Sequence, residues 1–377
     1  MYQDVFVIGA TGKVGSTLIK QILEKGDTYP SLHGNPTRIV GVASRSNFAY
    51  SPRGLSPSEA HNFCTGHFPE AKRYSDLHEL VDAADIGTRR SSGSLVFVDA
   101  TAASDDMTRL HMHIVKTTPY GIVTANKNPI ALSDFQTFQS LTGNPRRYGY
   151  RCSVMAGSDA VTFLQDLKDL NEQLHGIEGC FSGTLGYITS NLEKGRKFSE
   201  VLREAHEEGY TEPDPRDDLR GLDVARKIIV LARSAGYDVG IEDIKLKPFI
   251  PEEFLKSESI DDFLASSENL DQHFFDKLQA ARKHGNTLRY VATMKLDRDY
   301  PEIEVGLREV PLESSLGMLQ GTRNKIVITT EYYPSDKPYI VEAPGAGLDV
   351  TARNIRRDLM GLLTERTSSN HSSNHRM

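Results

Sequence analysis

Between residues 4 and 15 the chain reads Asp-Val-Phe-Val-Ile-Gly-Ala-Thr-Gly-Lys-Val-Gly, an apolar run followed at once by Gly9, Gly12 and Gly15. No other stretch constrains the fold as strongly. Residues 4–9 read as a short buried strand, and VGSTLIKQILEKG reads as the amphipathic helix that follows. Glycines at such a junction allow a tight turn and a close backbone approach. The helix N-terminus then offers free N–H groups and a positive dipole end to a pyrophosphate. Gly9, Thr11, Gly12, Lys13, Val14 and Gly15 are therefore candidate cofactor-binding residues, weighed against an ordinary strand–helix connection.

The alternation continues downstream. Thr37–Ala43 and 95–99 predict two more strands, a helix carries Leu110, Ile114 and Val115, and 121–124 predicts a fourth strand. Strands alternating with helices imply a parallel sheet covered on both faces. Residues 46–94, rich in Ser, Arg, His and Pro, read as a surface insertion holding a helix in YSDLHELVDAAD. Beyond residue 150 the texture changes. Residues 176–188 read as strand plus turn, SEVLREAHEEG as a helix capped by Ser199, and LRGLDVARKIIVLARSAG as a helix ending at Gly236. LRYVATMKL, EIEVGLREV and NKIVITTEYY alternate in polarity, which predicts an antiparallel sheet with one wet face. GAGLDVTARNIRRDLMGLL reads as a turn into a helix that returns to the first domain. The expected division is a dinucleotide-binding domain over 1–150, a second domain over 151–340, a returning segment over 341–365, and a disordered polar tail over 366–377.

The net charge of −7, with no Lys/Arg run, argues against nucleic acid as the main partner. No apolar stretch approaches the roughly 18 residues that span a bilayer. Met1-Tyr2-Gln3-Asp4 lacks the basic start of a signal peptide, and three cysteines without a CxxC pair read as reduced thiols. A cytoplasmic protein acting on a small molecule is expected, with neither membrane nor nucleic acid as partner.

Enzymes that use NAD place an acid after the second strand to hold the ribose 2′-hydroxyl. Here the strand ends Val42-Ala43-Ser44-Arg45-Ser46, with no acid. A hydroxyl beside an arginine suits a 2′-phosphate and so favours NADP, with NAD still open; Arg45 reads equally well as a solvated loop residue. In the centre of the chain, Gly209 to Lys227 runs Gly-Tyr-Thr-Glu-Pro-Asp-Pro-Arg-Asp-Asp-Leu-Arg-Gly-Leu-Asp-Val-Ala-Arg-Lys. Two prolines brace the segment 212–215, after which Asp217 or Asp218 can cap the next helix. Asp223 and Lys227 share a face of that helix, with Val230 on nearly the same bearing. Taken alone, such a pair is most often exposed and worth a few tenths of a kcal/mol. The rigid acidic loop ahead of it shifts the balance toward a site for an amino acid, with the lysine exchanging a proton with an oxygen. Lys127, in Thr124-Ala125-Asn126-Lys127, follows a strand of the parallel sheet, where ligands collect.

Taken together, these stretches resemble homoserine dehydrogenase, in the short fungal form without a fused kinase or regulatory domain. The matching motifs are Gly9 to Gly15, Thr124 to Lys127, Phe181-Ser182-Gly183-Thr184, Gly209 to Lys227, Gly285 to Tyr290, and Pro344-Gly345-Ala346-Gly347 leading to Val350-Thr351-Ala352. The resemblance implies an α/β fold, with a Rossmann-type parallel-sheet domain and an α+β catalytic and dimerisation domain. It implies NAD(P)H-dependent interconversion of L-aspartate 4-semialdehyde and L-homoserine, on the route to threonine and methionine, by a homodimer. Lys227 would donate the proton and Lys127 would be a second proton-handling residue near the cofactor. Glu212 would hold the substrate ammonium, Asp218 and Asp223 would order substrate and lysine, and Gly209 and Thr184 would line the pocket. Thr101 and Gly345 would touch the cofactor.

There are departures. The family holds a monovalent cation with a glutamate and neighbouring backbone carbonyls, which correspond here to Arg151 and to Val154 and Ala156. An arginine cannot ligate sodium, so no metal is expected, and its charge is expected to replace the ion. Ser158-Asp159 replaces the usual apolar-proline continuation, and Asp99-Ala100-Thr101 replaces Asp-Asn-Thr. Two alternatives follow. One is a divergent reductase of another amino acid semialdehyde. The other is a catalytically silent nucleotide-binding paralogue, against which the retained acids and lysines speak.

Overall fold

The structure, a computed structural model, describes residues 3–25, 37–88, 94–297 and 300–372. Two compact units emerge, Met1–Gly157 with Gly347–Met377, and Ser158–Ala346. Among the described residues no helix is long and apolar enough to cross a membrane.

The first unit is built on seven strands: β1 (Gln3–Ile8), β2 (Thr37–Ala43), β3 (Asn47–Tyr50), β4 (Lys72–Arg73), β5 (Ser94–Asp99), β6 (Gly121–Thr124) and β7 (Tyr148–Gly149). Their order is β4-β3-β2-β1-β5-β6-β7. β2, β1, β5, β6 and β7 run parallel, and β3 and β4 extend the edge antiparallel. This is the Rossmann-type arrangement that the strand–helix alternation implies. Residues 46–94 are thus not only an insertion, since two short strands from this stretch widen the sheet. Four- and two-residue strands in a polar stretch carry too little periodicity to be read in advance.

Val5 and Val7 point to one face, where they bury against Leu18 and Ile22 of the helix Lys13–Lys25 and against Ile355 and Leu359 of the last helix. Phe6 points to the other face and stacks on Phe97, ring centroids 5.2 Å apart. The last helix, Leu348–Ser372, therefore belongs to this unit, tied by Gln3 Nε2 to the Leu359 carbonyl (2.6 Å). Its backbone runs through part of the tail expected to be disordered; residues 373–377 lie outside the described residues.

The second unit has six strands: β8 (Leu174–Cys180), β9 (Ile244–Leu246), β10 (Asn286–Asp297), β11 (Tyr300–Pro311), β12 (Arg323–Thr330) and β13 (Tyr339–Pro344), in the order β13-β12-β8-β10-β11-β9. All pairs but β11–β9 are antiparallel. The expected wet face fails at β10, which is buried on both sides. Leu288 faces Leu278 and Ala281 of the helix Asp271–Lys283, while Val291 faces Leu316 and Leu319. Arg289, 1% exposed, holds that second cover by donating to the carbonyls of Leu316, Gly317 and Leu319 and to Glu193 Oε2.

Three local readings are corrected. Residues 183–188 are not a turn but the start of the helix Gly183–Glu193, capped by the Ser182 hydroxyl, which accepts from the Leu185 amide (3.2 Å). Its two glycines and its nearly all-round burial hide the helical period. Ser199 lies inside the helix Phe198–Glu207, and Asp271, distant in sequence, accepts from both its amide and its hydroxyl. Neither Asp217 nor Asp218 caps a helix: Asp214 caps Pro215–Leu219, and the helix Leu222–Ser234 starts afresh after Gly221.

Candidate active site

Gly9 has φ +85°, and a Cβ there would lie 2.9 Å from the Ala100 carbonyl oxygen; at Gly15 it would lie 2.2 Å from the Gly9 oxygen. Both positions therefore require glycine. Beside this turn opens a cavity of about 850 Å³, lined among others by Gly9, Thr11, Gly12, Ser44, Arg45 and Thr101. The six come from three separate stretches that the parallel sheet brings to its carboxyl edge. The cavity size and the crowded, Cβ-free turn fit a dinucleotide. Lys13, Val14, Gly15, Lys127 and Gly345 are not among its lining residues. Ser44 is partly engaged already, its hydroxyl lying 3.2–3.3 Å from backbone atoms of Asn47, whereas the Arg45 side chain is exposed. Tyr74 and Asp76 also line the cavity, and Tyr74 Oη donates to the Ser44 carbonyl (2.6 Å). Sequence reasoning missed both, because they come from the stretch taken for an insertion.

Lys127 is half-buried and precedes the one-turn helix Asn128–Ala131. Behind the cavity stands Asp99, buried at the end of β5. Burial works to raise its carboxyl, but the adjacent His111 ring and the hydrogen bonds from Thr101 outweigh that and hold it below the usual range.

In the second unit the central acids and the lysine do converge. Lys227 is buried, and its Nζ donates to the Phe181 carbonyl (2.7 Å) and pairs with Asp223 Oδ2 (2.7 Å). Asp223 is half-exposed, so the pair has one side in the core and one toward water. Asp218 Oδ2 accepts from the Glu212 amide (2.8 Å), which pins the proline-braced loop, while the Glu212 side chain stays exposed. Burial pushes the Asp218 carboxyl up to about 6, with the charges of Glu212 and Asp223 adding to the shift. Thr184 Oγ1 lies 2.6 Å from the Tyr210 carbonyl and 2.8 Å from Asp218 Oδ1, so one hydroxyl proton faces two acceptors. A proton on Asp218 completes both bonds, in keeping with the raised value. Gly209, at φ +71°, turns the chain into this loop. Gly345 lies in this unit, pressed against the Asn324 side chain. Asn324 is fully buried, and neither of its amide atoms has a hydrogen-bond partner among the described residues. Nothing in the sequence marks Asn324 or the Phe181 carbonyl, because both act through a tertiary neighbour.

Around Arg151 the residues do not fit a cation. The Arg151 guanidinium Nε lies 3.3 Å from Asp358 Oδ1, and its amide donates to Asp358 Oδ2 (3.1 Å). The Ala156 carbonyl accepts from Asn354 Nδ2 (2.6 Å), and the Val154 carbonyl accepts from the Gly157 amide (3.1 Å). Arg151 places a guanidinium there, paired with Asp358. No step is assigned to a metal ion.

Comparison with known proteins places this geometry. The maize chloroplastic bifunctional aspartokinase/homoserine dehydrogenase 2 is 32% identical over 361 residues, 95% of this chain and 38% of the maize protein. This chain spans about two fifths of the length of such curated relatives. Among solved structures, a Candida auris protein of unknown function is 27% identical with a TM-score of 0.83, covering 96% of this chain and 98% of that one. A hyperthermophilic archaeal homoserine dehydrogenase, solved with NADPH, shares the fold at a TM-score of 0.71 and 19% identity, covering 97% and 98%. The family model for homoserine dehydrogenase matches residues 161–360, which is more than half of the 377 residues. This chain belongs to the homoserine dehydrogenase family.

Proposed function

We propose that the chain is an NAD(P)H-dependent homoserine dehydrogenase, interconverting L-aspartate 4-semialdehyde and L-homoserine in threonine and methionine biosynthesis. The observation that carries this reading is the Lys227 ammonium held between Asp223 and the Phe181 carbonyl, with the charges of Asp223 and Glu212 both felt at Asp218. When bound, the cofactor supplies the hydride. Gly9, Thr11, Gly12, Ser44, Arg45 and Thr101 are assigned to hold it. Lys227 Nζ delivers the proton to the aldehyde oxygen, with its ammonium aimed by two fixed acceptors. Glu212 takes the substrate ammonium, Asp218 and Asp223 order substrate and lysine, and Thr184 and Gly209 shape the pocket. Lys127 is a second proton-handling residue. Gly345 keeps its assignment as a cofactor contact, supported by the Asn324 amide packed on it, which has no partner among the described residues. The reading carries with it a cytoplasmic homodimer acting on small molecules. It is tested by following NAD(P)H absorbance with a panel of amino acid semialdehydes. Turnover of aspartate semialdehyde supports it, turnover of another aldehyde alone replaces it with a divergent reductase, and no turnover with any leaves a silent nucleotide binder.

Arg45 favours the 2′-phosphate of NADP, whereas Asp76 in the same cavity supplies an acid that suits the free ribose of NAD. Arg45→Asp is expected to weaken NADPH binding by about 10- to 100-fold with NADH affinity kept or raised. Equal losses for both dinucleotides, measured by fluorescence titration, would remove the NADP assignment.

Asp218 sets a pH dependence. With its carboxyl near 6, kcat/KM is expected to fall below about pH 6, because the protonated acid no longer attracts the substrate ammonium. The kcat limb lies lower, since the bound ammonium favours the carboxylate. For stability the sign is reversed: the raised value favours the fold while Asp218 is protonated, and that contribution is lost as pH rises through about 6. Asp218→Asn is expected to abolish the acid limb without lowering Tm at pH 8. A limb that survives in the variant belongs to another group.

A further inference from the structure

Asp99 is 1% exposed, and its two oxygens serve two different loops. Oδ1 accepts from the Thr101 amide (2.9 Å) and hydroxyl (2.7 Å), on the loop that lines the cavity. Oδ2 accepts from Asn126 Nδ2 (3.0 Å), with the Thr124 hydroxyl at 3.4 Å and His111 Nε2 at 3.3 Å. Asn126 also donates to the Ala103 carbonyl (2.8 Å), and its Oδ1 accepts from the Asn128 amide (3.1 Å). Asn128 Nδ2 in turn reaches the Ala102 carbonyl (2.9 Å). Lys127 sits between these two asparagines. Behind Asp99, His111 Nδ1 meets the buried Tyr148 hydroxyl at 2.8 Å, which fixes the ring from the far side.

From this arrangement we infer that Asp99 is a positioning residue that sets Lys127 through Asn126, while its other oxygen holds Thr101 directly at the start of the cavity loop. The inference rests on the reading of Lys127 as a proton-handling residue of a dinucleotide-dependent enzyme. Hydrogen-bond chemistry separates the two halves. An asparagine at 99 keeps one acceptor oxygen for the two Thr101 donors, but turns an NH₂ toward Asn126 Nδ2, donor against donor. Asn126 can answer only by flipping. The flip sets an oxygen against the Ala103 carbonyl and withdraws the acceptor from the Asn128 amide. The direct hold of Asp99 on Thr101 survives, while the Asn126 link from the lysine's flank to Ala103 is undone.

The test compares wild type, Asp99→Asn, Asn126→Ala, Lys127→Ala and the double variant Asp99→Asn/Lys127→Ala, reading kcat and the NADPH dissociation constant by fluorescence. Asp99→Asn and Asn126→Ala are each expected to lose about 10- to 100-fold in kcat, as a misplaced reacting group does. NADPH affinity should stay within about threefold of wild type, and Asp99→Asn should add no further loss in the Lys127→Ala background. An equal loss in that background, or NADPH affinity falling in step with kcat, overturns the inference and leaves Asp99 a strand-end support. Wild-type kcat in both single variants overturns it as well. If Asp99→Asn does not fold, Asn126→Ala with its own Lys127→Ala double carries the same comparison. Wild-type protein that neither binds NADPH nor turns over any semialdehyde would instead sink the proposed function.

Discussion

Lys227→Ala is expected to lower kcat by about 10²–10⁴-fold, the range a positioned general acid contributes, with dinucleotide affinity within about twofold of wild type. The expectation follows from what holds the ammonium. Its carboxylate and carbonyl partners, each at 2.7 Å, leave a third N–H without a further acceptor among the described residues, available to substrate. The cavity-lining residues assigned to the cofactor belong to the other unit, and none of them lies on this helix. Alanine leaves the Phe181 carbonyl without its donor, while the half-exposed Asp223 can turn to water, so a modest loss of Tm is expected alongside. Lys227→Arg provides the control. Its guanidinium keeps the charge but does not give up a proton near neutrality, so it should restore Tm and not kcat. A kcat within tenfold of wild type in the alanine variant would remove the role.

The second large effect concerns Arg151, whose guanidinium compensates the nearly fully buried Asp358. Burial pushes the Asp358 carboxyl up to about 6, and Arg151 and Arg357 oppose the shift. Arg151→Ala removes the larger opposing charge and drives the value further up, which makes the ionised acid costlier to keep inside. The loss is expected to be about 1–3 kcal/mol at pH 8, discounted from the larger cost of breaking a fully buried pair because the arginine is partly exposed. It should shrink as pH falls through 6, where Asp358 takes up a proton and no longer needs a counter-ion. Thermal melts at pH 5 and pH 8 check this, and a deficit that does not depend on pH contradicts it. The same pairing predicts wild-type activity that is insensitive to sodium and potassium at constant ionic strength. Strong activation by either ion would show that the guanidinium does not replace a cation.

The Gly9–Gly15 turn and the Asp223–Lys227 spacing were legible because each is a local pattern. Three glycines between a strand and a helix, or two charges one turn apart, imply geometry from neighbouring residues alone. Thr37–Ala43 likewise needed only its own apolar run. Burial of Lys227 was harder to foresee, since an aspartate–lysine pair at that spacing is usually solvated; Val230 on nearly the same bearing and the acidic loop before it were the hints. Tyr74 and Asp76 escaped notice because they head a helix read as part of a surface insertion, and the pairing of β4 with β3, continued by the Tyr74 amide donating to the Ser46 carbonyl, is what brings them to the cavity. Ser199 misled for a related reason. Its hydroxyl suits a local cap, yet Asp271, more than seventy residues away, claims it. Asp99 was visible only as the retained acid of a motif that departs at the next residue, Ala100.

By itself, then, the amino-acid order determined that a strand-turn-helix nucleotide unit would form, and that an acid-rich loop would run into a helix bearing a lysine. Backbone sterics and helical periodicity act over a few residues, and such information is written locally. Only the tertiary structure decided which lone pairs receive the Lys227 protons, that Asp99 divides its oxygens between two loops, and that Arg151 settles on Asp358. Each of these depends on removing a charge from water, and desolvation is a property of everything packed around a group rather than of its neighbours in the chain.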